Sequence, residues 1–208
     1  MIDVKSFPVG YMGTNAYVIT DKDTGDVALV DPGSTDSALS EYIDSVSDNI
    51  KYILLTHGHF DHIGGAGEYA DKYDAKIVIS SLEEDFLTDN NLNLSCMFFR
   101  PLDPIKADIT LNDGDILTLG NTAFKFIHTP GHTKGSGCFV FEADRAIFSG
   151  DTLFFSSMGR TDFPTGDPLT MLTSLRRLRD LEGDYKVYPG HDRTTTLSRE
   201  RDSNPYLR

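Results

Sequence analysis

Short apolar runs alternate with longer stretches of helical periodicity along this chain. The runs are rich in β-branched and aromatic residues and are bounded by turn-forming residues, so they predict strands. They cover residues 4–7, 15–20, 26–30, 52–55, 76–79, 123–128, 137–141, 145–148 and 185–188. Short polar turns separate 15–20 from 26–30 and 137–141 from 145–148, which predicts two hairpins.

Apolar residues at helical spacing predict helices at residues 34–46, 65–73, 81–87 and 168–181. Ser81 and Glu84 have the spacing of a capping box at the start of the third of these helices. Asp167 and Pro168 are a favourable cap and first residue for the fourth. Its leucines at positions 169, 172, 175, 178 and 181 predict a stripe that faces the core. Residues 88–108 have no regular period and predict a long loop of the kind that often borders a functional site.

The two halves of the chain share one order of elements: a hairpin that ends in aspartate, a helix, and a strand that ends in histidine. Asp31 and then His57 occupy these ends in the first half, and Asp151 and then His191 occupy them in the second. Such a repeat indicates two sheets packed face to face, with helices outside and strand ends at one rim. We therefore predict an α+β fold, a four-layer αββα sandwich of two mixed sheets, in a single domain over residues 1–208.

The segment after the predicted strand 52–55 carries three histidines and an aspartate within six residues: His57, His59, Asp61 and His62. Residues two apart on a strand point to opposite faces, so His57 and His59 reach one target only on a tight loop, which Gly58 permits. Neutral imidazole and carboxylate are ligands for zinc, iron or manganese. The alternative, histidines that only decorate a polar loop, leaves the agreement between the motif and its strand–loop–helix context unexplained.

Three further residues of these types directly follow predicted strands: His132, Asp151 and His191. Loops at strand ends carry functional groups on a rigid scaffold. One structural zinc needs four ligands and often uses cysteine, whereas seven nitrogen and oxygen ligands divide between two metals with room for water. His128 lies inside its strand, and we predict that it is packed or hydrogen-bonded instead.

The 32 acidic and 19 basic residues leave a formal net charge of −13. Nucleic acids and anionic lipids are bound through lysine and arginine patches, so this charge argues against both as partners. The N-terminus lacks a signal-peptide pattern, and no apolar run is as long as a membrane span. We expect a cytoplasmic protein with a small-molecule substrate, and the pattern does not indicate an oligomeric state. Cys96 and Cys138 lie beside apolar residues and predict two buried thiols.

Segments 57–62, 131–132, 149–151 and 189–191 resemble the ligand motifs of metallo-β-lactamase-fold hydrolases, and together they span nearly the whole chain. The resemblance implies a first metal bound by His57, His59 and His132. It implies a second metal bound by Asp61, His62 and His191, with Asp151 as the bridge. The expected cofactors are two divalent ions, zinc first, with iron or manganese as alternatives. The αββα sandwich is also the fold that the resemblance implies.

Segments 132–136, 150–154, 159–160 and 195–207 are similar to short bacterial hydroxyacylglutathione hydrolases, also called glyoxalase II. This implies hydrolysis of a thioester such as S-lactoylglutathione. Longer members have a helical C-terminal domain that binds glutathione, but only 17 residues follow His191, so no such domain is expected. Arg160 occupies the position of a substrate-binding lysine and is expected to bind a carboxylate of the thiol carrier. The alternative is an Arg160 that braces its loop against Asp162, which stands where those proteins have tyrosine, or against Asp167.

Family resemblance also implies the chemistry. A hydroxide that bridges two metals would attack the thioester carbonyl, since metal binding lowers the pKa of water from about 15.7 to about 7. Asp61 is expected to orient that hydroxide and accept its proton as well as to bind metal. Asp31, at the repeat position of Asp151, is either a partner for the free N–H of a ligand histidine or a turn residue before Pro32.

The alternative enzyme is a persulfide dioxygenase of the same fold, which binds one iron through two histidines and an aspartate and is similar over residues 159–163. Metal content and oxygen uptake distinguish the two enzymes. A nuclease of this fold is disfavoured by the net charge, and a non-catalytic metal-binding scaffold by the surplus of ligands. A flavin-dependent diiron reductase would have a carboxylate at position 58, where this chain has Gly58.

Overall fold

The computed structural model describes residues 1–46, 49–98 and 100–207. Within these ranges the strands form two six-stranded mixed sheets and a separate hairpin. The first sheet contains, in spatial order, β1 (Ile2–Val9), β2 (Thr14–Asp21), β3 (Val27–Val30), β4 (Ile50–Leu54), β5 (Lys76–Ser80) and β6 (Ile109–Leu111). The chain continues with β7 (Ile116–Leu119), β8 (Thr122–His128), β9 (Gly137–Phe141), β10 (Ala146–Gly150), the hairpin β11 (Leu153–Phe154) and β12 (Ser157–Met158), β13 (Lys186–Pro189) and β14 (Thr195–Thr196). The spatial order of the second sheet is β14-β13-β10-β9-β8-β7.

The α-helices of the described residues are α1 (Ser37–Val46), α2 (Phe60–Ile63), α3 (Ala66–Tyr73), α4 (Pro168–Arg179) and α5 (Leu197–Ser203), and a 3-10 helix covers Glu84–Leu87. The start of α4 is as predicted, because the Asp167 side chain accepts a hydrogen bond from the Thr170 amide at 2.6 Å and Pro168 is the first helical residue. Within the described ranges, the longest helix is still too short and too polar to cross a membrane.

Each sheet contains a parallel pair that carries site residues. β3 runs parallel to β4, and β10 runs parallel to β13. Parallel neighbours end at the same edge of a sheet. Asp31 follows β3 and His57 comes just after β4, whereas Asp151 follows β10 and His191 comes just after β13. The aspartate-then-histidine order of the two halves therefore corresponds to two equivalent strand pairs.

Side chains of β2 alternate between two cores. Tyr17 and Ile19 lie between the sheets with Phe148, whereas Val18 packs on the helix side with Ile43 of α1. A third core lies outside the second sheet, where Met171, Leu175 and Leu178 cluster with Val140, Ile147 and Val187. Helix, sheet, sheet and helix thus form four layers, which confirms the predicted α+β, αββα architecture.

Leu169 corrects the predicted leucine stripe of α4. Its side chain is 74% exposed, whereas Met171, Leu175 and Leu178 are buried. Residues advance by about 100° per position around an α-helix, so Leu169 lies nearly opposite Met171. The core face therefore follows Met171 with spacings of four and three, and Leu172 and Leu181 lie half-buried at its margin.

The predicted capping box at Ser81 and Glu84 is wrong. Ser81 Oγ donates to Asn112 Oδ1 at 2.9 Å, which takes it away from the helix start. The element is only the 3-10 helix Glu84–Leu87, and the residue before it, Glu83, makes no capping hydrogen bond with its side chain.

Cys96 is exposed and Cys138 is buried, so the prediction of two buried thiols holds only for Cys138. The apolar neighbours of Cys96 are themselves exposed, Met97 to 56% and Phe98 to 37%, and Phe98 lines a cavity. The structure places no helix or strand between Leu87 and Ile109 in the residues it describes, as the irregular pattern of 88–108 predicts. Phe99, which belongs to that predicted loop, lies outside the described residues.

Candidate metal centre

The predicted ligands lie together at the edge where the parallel strands end. His57 and His59 follow β4, Asp61 and His62 belong to α2, and His132, Asp151 and His191 follow β8, β10 and β13. Three sets of these residues offer ligand atoms within 4.8 Å of one another: His57 with His59 and His132, His57 with His62 and Asp151, and Asp61 with His62 and His191.

Three buried histidines form the first group. His57 Nε2 is 3.1 Å from His59 Nδ1, which is 2.9 Å from His132 Nε2. His59 Nδ1 carries at most one proton, so it can donate a hydrogen bond to only one of these two nitrogens. Nitrogen ligands about 2.0–2.1 Å from a tetrahedral zinc lie about 3.3 Å from one another. The spacing therefore fits three imidazoles on one metal ion.

Asp61, His62 and His191 form the second group. His191 Nε2 is 3.3 Å from Asp61 Oδ2, and His62 Nε2 is 3.7 Å from the same oxygen. Thr14 Oγ1 donates to this oxygen at 2.8 Å and fixes the carboxylate in place. One oxygen and two nitrogens form a ligand set that suits zinc, iron or manganese.

Asp151 lies between the two groups. Its Oδ1 is 3.5 Å from His62 Nε2. Its Oδ2 is 3.4 Å from His132 Nε2 and 3.7 Å from His191 Nε2. Gly190 permits this approach, because a Cβ there would lie 2.3 Å from Asp151 Oδ1. The carboxylate therefore faces nitrogens of both groups, as a bridging ligand must.

Three polar atoms of the cluster are buried without a hydrogen-bond partner among the described residues: His59 Nε2, His62 Nε2 and Asp151 Oδ1. A buried polar atom left unpaired costs about 1–3 kcal/mol, and native proteins satisfy nearly all of them. A divalent cation between His62 Nε2 and Asp151 Oδ1 would satisfy both atoms, since each presents a lone pair to it once His62 has lost its proton. The residues present therefore fit a metal site.

Asp31 orients His62 directly and His57 through Thr56. Its side chain is buried, and its Oδ2 lies 3.0 Å from His62 Nδ1. The same carboxylate accepts from the Thr56 amide at 2.8 Å and from Thr56 Oγ1 at 2.7 Å. Thr56 Oγ1 in turn lies 3.2 Å from His57 Nδ1. These contacts direct both Nε2 atoms to the centre. Asp31 also has the turn conformation of the second predicted role, with φ of 48°.

His132 is oriented by the backbone of Arg160. His132 Nδ1 donates to the Arg160 carbonyl at 2.7 Å, which leaves Nε2 free to bind a metal. The Arg160 guanidinium lines the cavity above the site. It donates through Nε and Nη2 to the two oxygens of Asp162, each at 2.7 Å, and lies 3.8 Å from the ring centre of Phe163. Its side chain thus makes the bracing contact predicted as an alternative, and a role in substrate binding stays a prediction.

His128 lies outside the cluster. Its Nε2 donates to the Lys134 carbonyl at 2.9 Å, and the side chain is only half-buried. The hydrogen-bonded role predicted for His128 matches this contact.

Glu83 is a buried residue of the site that sequence reasoning missed. Its Oε2 accepts from the Gly58 amide at 2.8 Å, and its Oε1 accepts from the Gly135 amide at 2.7 Å. Burial raises the pKa of Glu83 to about 7, although the Thr133 hydroxyl and the two amides oppose the shift. Glu83 therefore joins the loop of His57 and His59 to the loop that follows His132. The adjacent Glu84 is exposed, and the sequence alone does not distinguish these two glutamates.

The histidines of the first group are neutral at pH 7. Burial, and then the neighbouring imidazoles, lower the pKa of His57 and His59 well below the usual value. Burial likewise lowers the pKa of His132. Neutral imidazole is the form that binds metal.

His62 has the opposite shift in the metal-free protein. Burial disfavours its charged form, but the carboxylates of Asp61, Asp151 and Asp31 outweigh burial and raise its pKa to about 10. Burial similarly opposes protonation of His191, and its contact with Asp61 raises the pKa nevertheless. Positive charge on His62 balances the carboxylates where no cation is bound.

Metal binding at pH 8 is expected to release about one proton per chain, or more, because His62 must lose its proton to bind through Nε2. Affinity should therefore fall as the pH is lowered. In the metal-free protein, charged His62 contributes stability fully below pH 6.5, its ordinary pKa, and this contribution is lost as the pH rises through about 10. Calorimetric titration with Zn²⁺ in two buffers of different ionisation enthalpy gives the proton count. His128→Ala, outside the cluster, should match wild type, and a count of zero in wild type would contradict this assignment.

The chain is similar to known proteins over nearly its whole length. The model of the metallo-beta-lactamase superfamily matches residues 9–191. A Haemophilus influenzae protein named hydroxyacylglutathione hydrolase GloC is 35% identical over 209 residues, which cover 99% of this chain and 98% of that protein.

Two solved structures are similar over nearly the whole chain. The BLEG-1 B3 metallo-beta-lactamase has a TM-score of 0.92 and 35% identity, and the match covers 99% of each chain. TTHA1623 in a di-iron-bound form has a TM-score of 0.86 and 30% identity, and the match covers 98% of this chain and 100% of that one.

Proposed function

We propose that this chain, which belongs to the metallo-β-lactamase superfamily, hydrolyses thioesters such as S-lactoylglutathione with two divalent metal ions. The observation that carries the proposal is a pair of adjacent ligand groups that face one carboxylate, Asp151. A relative named hydroxyacylglutathione hydrolase supports the substrate class. Zinc suits both groups, and the di-iron form of TTHA1623 makes iron the first alternative.

The predicted ligands would form two adjacent metal subsites. His57, His59 and His132 would hold one ion. Asp61, His62 and His191 would hold the other, and Asp151 would contact both. Ions bound there supply Lewis acidity and lower the pKa of water to about 7. Asp31, through His62 and Thr56, keeps the histidines oriented for this role.

Asp61 has a second role in proton transfer. Burial would raise its pKa, but His62, His191 and Thr14 hold that pKa well below the usual range, so the carboxylate is ionised. Its Oδ2 faces His62 and His191 and accepts from Thr14, so Oδ1 would be the oxygen that accepts a proton from the attacking water. The water oxygen bonds to the carbonyl carbon, the C–S bond breaks, and sulfur leaves with the electron pair as thiolate. The proton on Asp61 then passes to the thiolate, so the products are a carboxylic acid and a free thiol.

Metal analysis combined with a thioester assay tests the proposal. Purified protein is expected to contain about two metal ions per chain and to release free thiol from S-lactoylglutathione. Chelator treatment should abolish thiol release, and Zn²⁺ should restore it. One iron per chain, with oxygen uptake on glutathione persulfide and no thioester hydrolysis, would overturn the proposal in favour of a persulfide dioxygenase.

Arg160→Ala is expected to raise KM for an S-acylglutathione by about tenfold, because a charge-assisted contact with a carboxylate contributes about 1.5–3 kcal/mol and Asp162 offsets part of it. Metal content and kcat should change little, since such a contact forms equally in ground and transition states. Asp162→Ala removes the competing carboxylate and should lower KM. If Arg160→Ala leaves KM unchanged and only lowers the unfolding temperature, Arg160 is a structural brace.

A further inference from the structure

An apolar cavity of about 390 Å³ opens above the candidate metal centre. Its floor includes cluster residues such as His132, Asp151 and His191. Its walls come mainly from two segments: Leu94 and Phe98 in the loop before β6, and Phe154, Met158 and Phe163 in and after the β11–β12 hairpin. A molecule whose reacting group lies at the metals must place its adjoining part against these side chains.

Leu94, which lines the cavity, has a disfavoured backbone conformation. Its φ is 67°, in the left-handed region that a bulky residue rarely adopts, and its side chain is 2% exposed. Such conformations persist where surrounding structure enforces them, and they concentrate at functional sites.

Buried polar side chains on both sides of Leu94 enforce this conformation. Asn93 donates through Nδ2 to the Phe86 carbonyl at 2.9 Å and accepts from the Ser95 amide at 3.0 Å. Ser95 Oγ donates to Asn90 Oδ1 at 2.7 Å. These hydrogen bonds fix the backbone of residues 90–95, which form this part of the cavity wall.

The wall is also tied to the metal ligands. The amide of Phe60, the first residue of α2, donates to the Asn93 carbonyl at 2.8 Å. Asp61 and His62 follow directly in the same helix. The ring of Phe60 packs against that of Phe98, with ring centres 4.8 Å apart and the planes tilted by 31°. The position of the wall relative to the reacting atoms is therefore set by the same helix that supplies two ligands.

Among the described residues that line this cavity, Arg160 is the only lysine or arginine, and Asp162 already pairs with it. Away from the candidate metal site at the floor, a strongly polar or anionic group against the walls would lose water without gaining a free cationic side chain. An apolar group would gain by burial against Leu94 and the aromatic rings.

We propose that the cavity binds the acyl group of the thioester and selects bulky apolar acyl groups, aromatic or medium-chain aliphatic, over small hydroxyacyl groups. This inference rests on the proposed thioesterase function and specifies its substrate class. The thiol carrier then lies toward the cavity mouth, where Arg160 is exposed.

A series of acyl groups on one carrier tests the inference. S-acetyl-, S-lactoyl-, S-hexanoyl- and S-phenylacetylglutathione are compared with the metal-loaded protein, and each rate is divided by the rate of alkaline hydrolysis. The expected kcat/KM for the hexanoyl and phenylacetyl thioesters is at least about tenfold above that for the acetyl one, since a single methylene in an apolar pocket can contribute about tenfold or more. Equal or faster turnover of the lactoyl thioester would overturn the inference.

Leu94→Asn tests the apolar contact of the cavity wall while leaving the backbone of the loop unchanged. Asparagine tolerates positive φ, so the loop keeps its conformation while its side chain becomes polar. The hexanoyl-to-acetyl ratio of kcat/KM should fall about tenfold, with metal content unchanged. Leu169→Asn, a leucine on α4 that is 74% exposed, is the matched control and should keep the wild-type ratio. A uniform loss over all acyl groups in Leu94→Asn would overturn the assignment.

Binding of product acids separates this inference from the proposed function. Phenylacetate should raise the unfolding temperature of the metal-loaded protein more than acetate does, and Leu94→Asn should abolish the difference. If no thioester is hydrolysed but this difference is present, the thioesterase proposal fails and the apolar cavity stands. If phenylacetate and acetate act equally on wild type, the cavity inference fails whatever the reaction.

Discussion

Asp151→Ala is expected to lose both metal ions and nearly all activity. Wild type should contain about two ions per chain and the variant fewer than one, because Asp151 lies 3.4–3.7 Å from nitrogens of both ligand groups. A carboxylate that serves both ions has a larger effect than a ligand at the end of one group. We expect kcat/KM to fall about a thousandfold or more, as when a group that stabilises developing charge is removed. Metal analysis and the thioester assay measure the two losses.

Two further variants make this test specific. Asp151→Asn keeps the shape of the side chain and one oxygen donor, so it should retain more metal than Asp151→Ala. Asp180→Ala removes a carboxylate that is 65% exposed at the end of α4, and it should match wild type in metal content and activity. Circular dichroism of the metal-free proteins establishes that each variant folds. Two tightly bound ions in Asp151→Ala would show that Asp151 does not bridge.

The sequence was most informative where chemistry and strand ends coincide. His132 and His191 each follow a strand within a few residues, and parallel pairing of β10 with β13 brings Asp151 and His191 to one edge. The residue types and their positions after strands could therefore be read directly. Family resemblance divided them into two groups, and the structure brings the same residues together.

Properties set by tertiary packing could not be read from local pattern. Leu169 and Leu175 are the same residue type on one helix, and only the placement of the second sheet decides which one is buried. Cys96 is exposed, and its apolar neighbour Phe98 lines a cavity and does not belong to a core, so the local pattern falsely suggested a core position. The left-handed backbone conformation of Leu94 could not be predicted either, because no sequence pattern marks a leucine with positive φ.

Glu83 is the clearest case of a role that depends on contacts distant in sequence. It lies 25 residues from Gly58 and 52 residues from Gly135, and its two oxygens accept one amide from each. Gly58 leaves room for this contact, because a Cβ there would lie 2.3 Å from the Cβ of Phe86. One buried carboxylate thus keeps the loop of His57 and His59 against the loop of His132.

Glu83→Gln is expected to weaken metal binding at the three-histidine group by about 10- to 100-fold, the usual cost of losing a residue that positions metal ligands. Glutamine offers one acceptor oxygen, and its NH2 group would face the second amide donor, so one loop loses its anchor and a buried N–H is left unpaired at about 1–3 kcal/mol. Competition with a chelator measures the dissociation constants, and Co²⁺ absorption reports the ligand geometry of the first group. Glu84→Gln, one residue away with an exposed side chain, should keep wild-type affinity and spectrum. If Glu83→Gln lowers only the unfolding temperature and leaves both metal affinities and the Co²⁺ spectrum unchanged, Glu83 supports the fold and does not position the histidines.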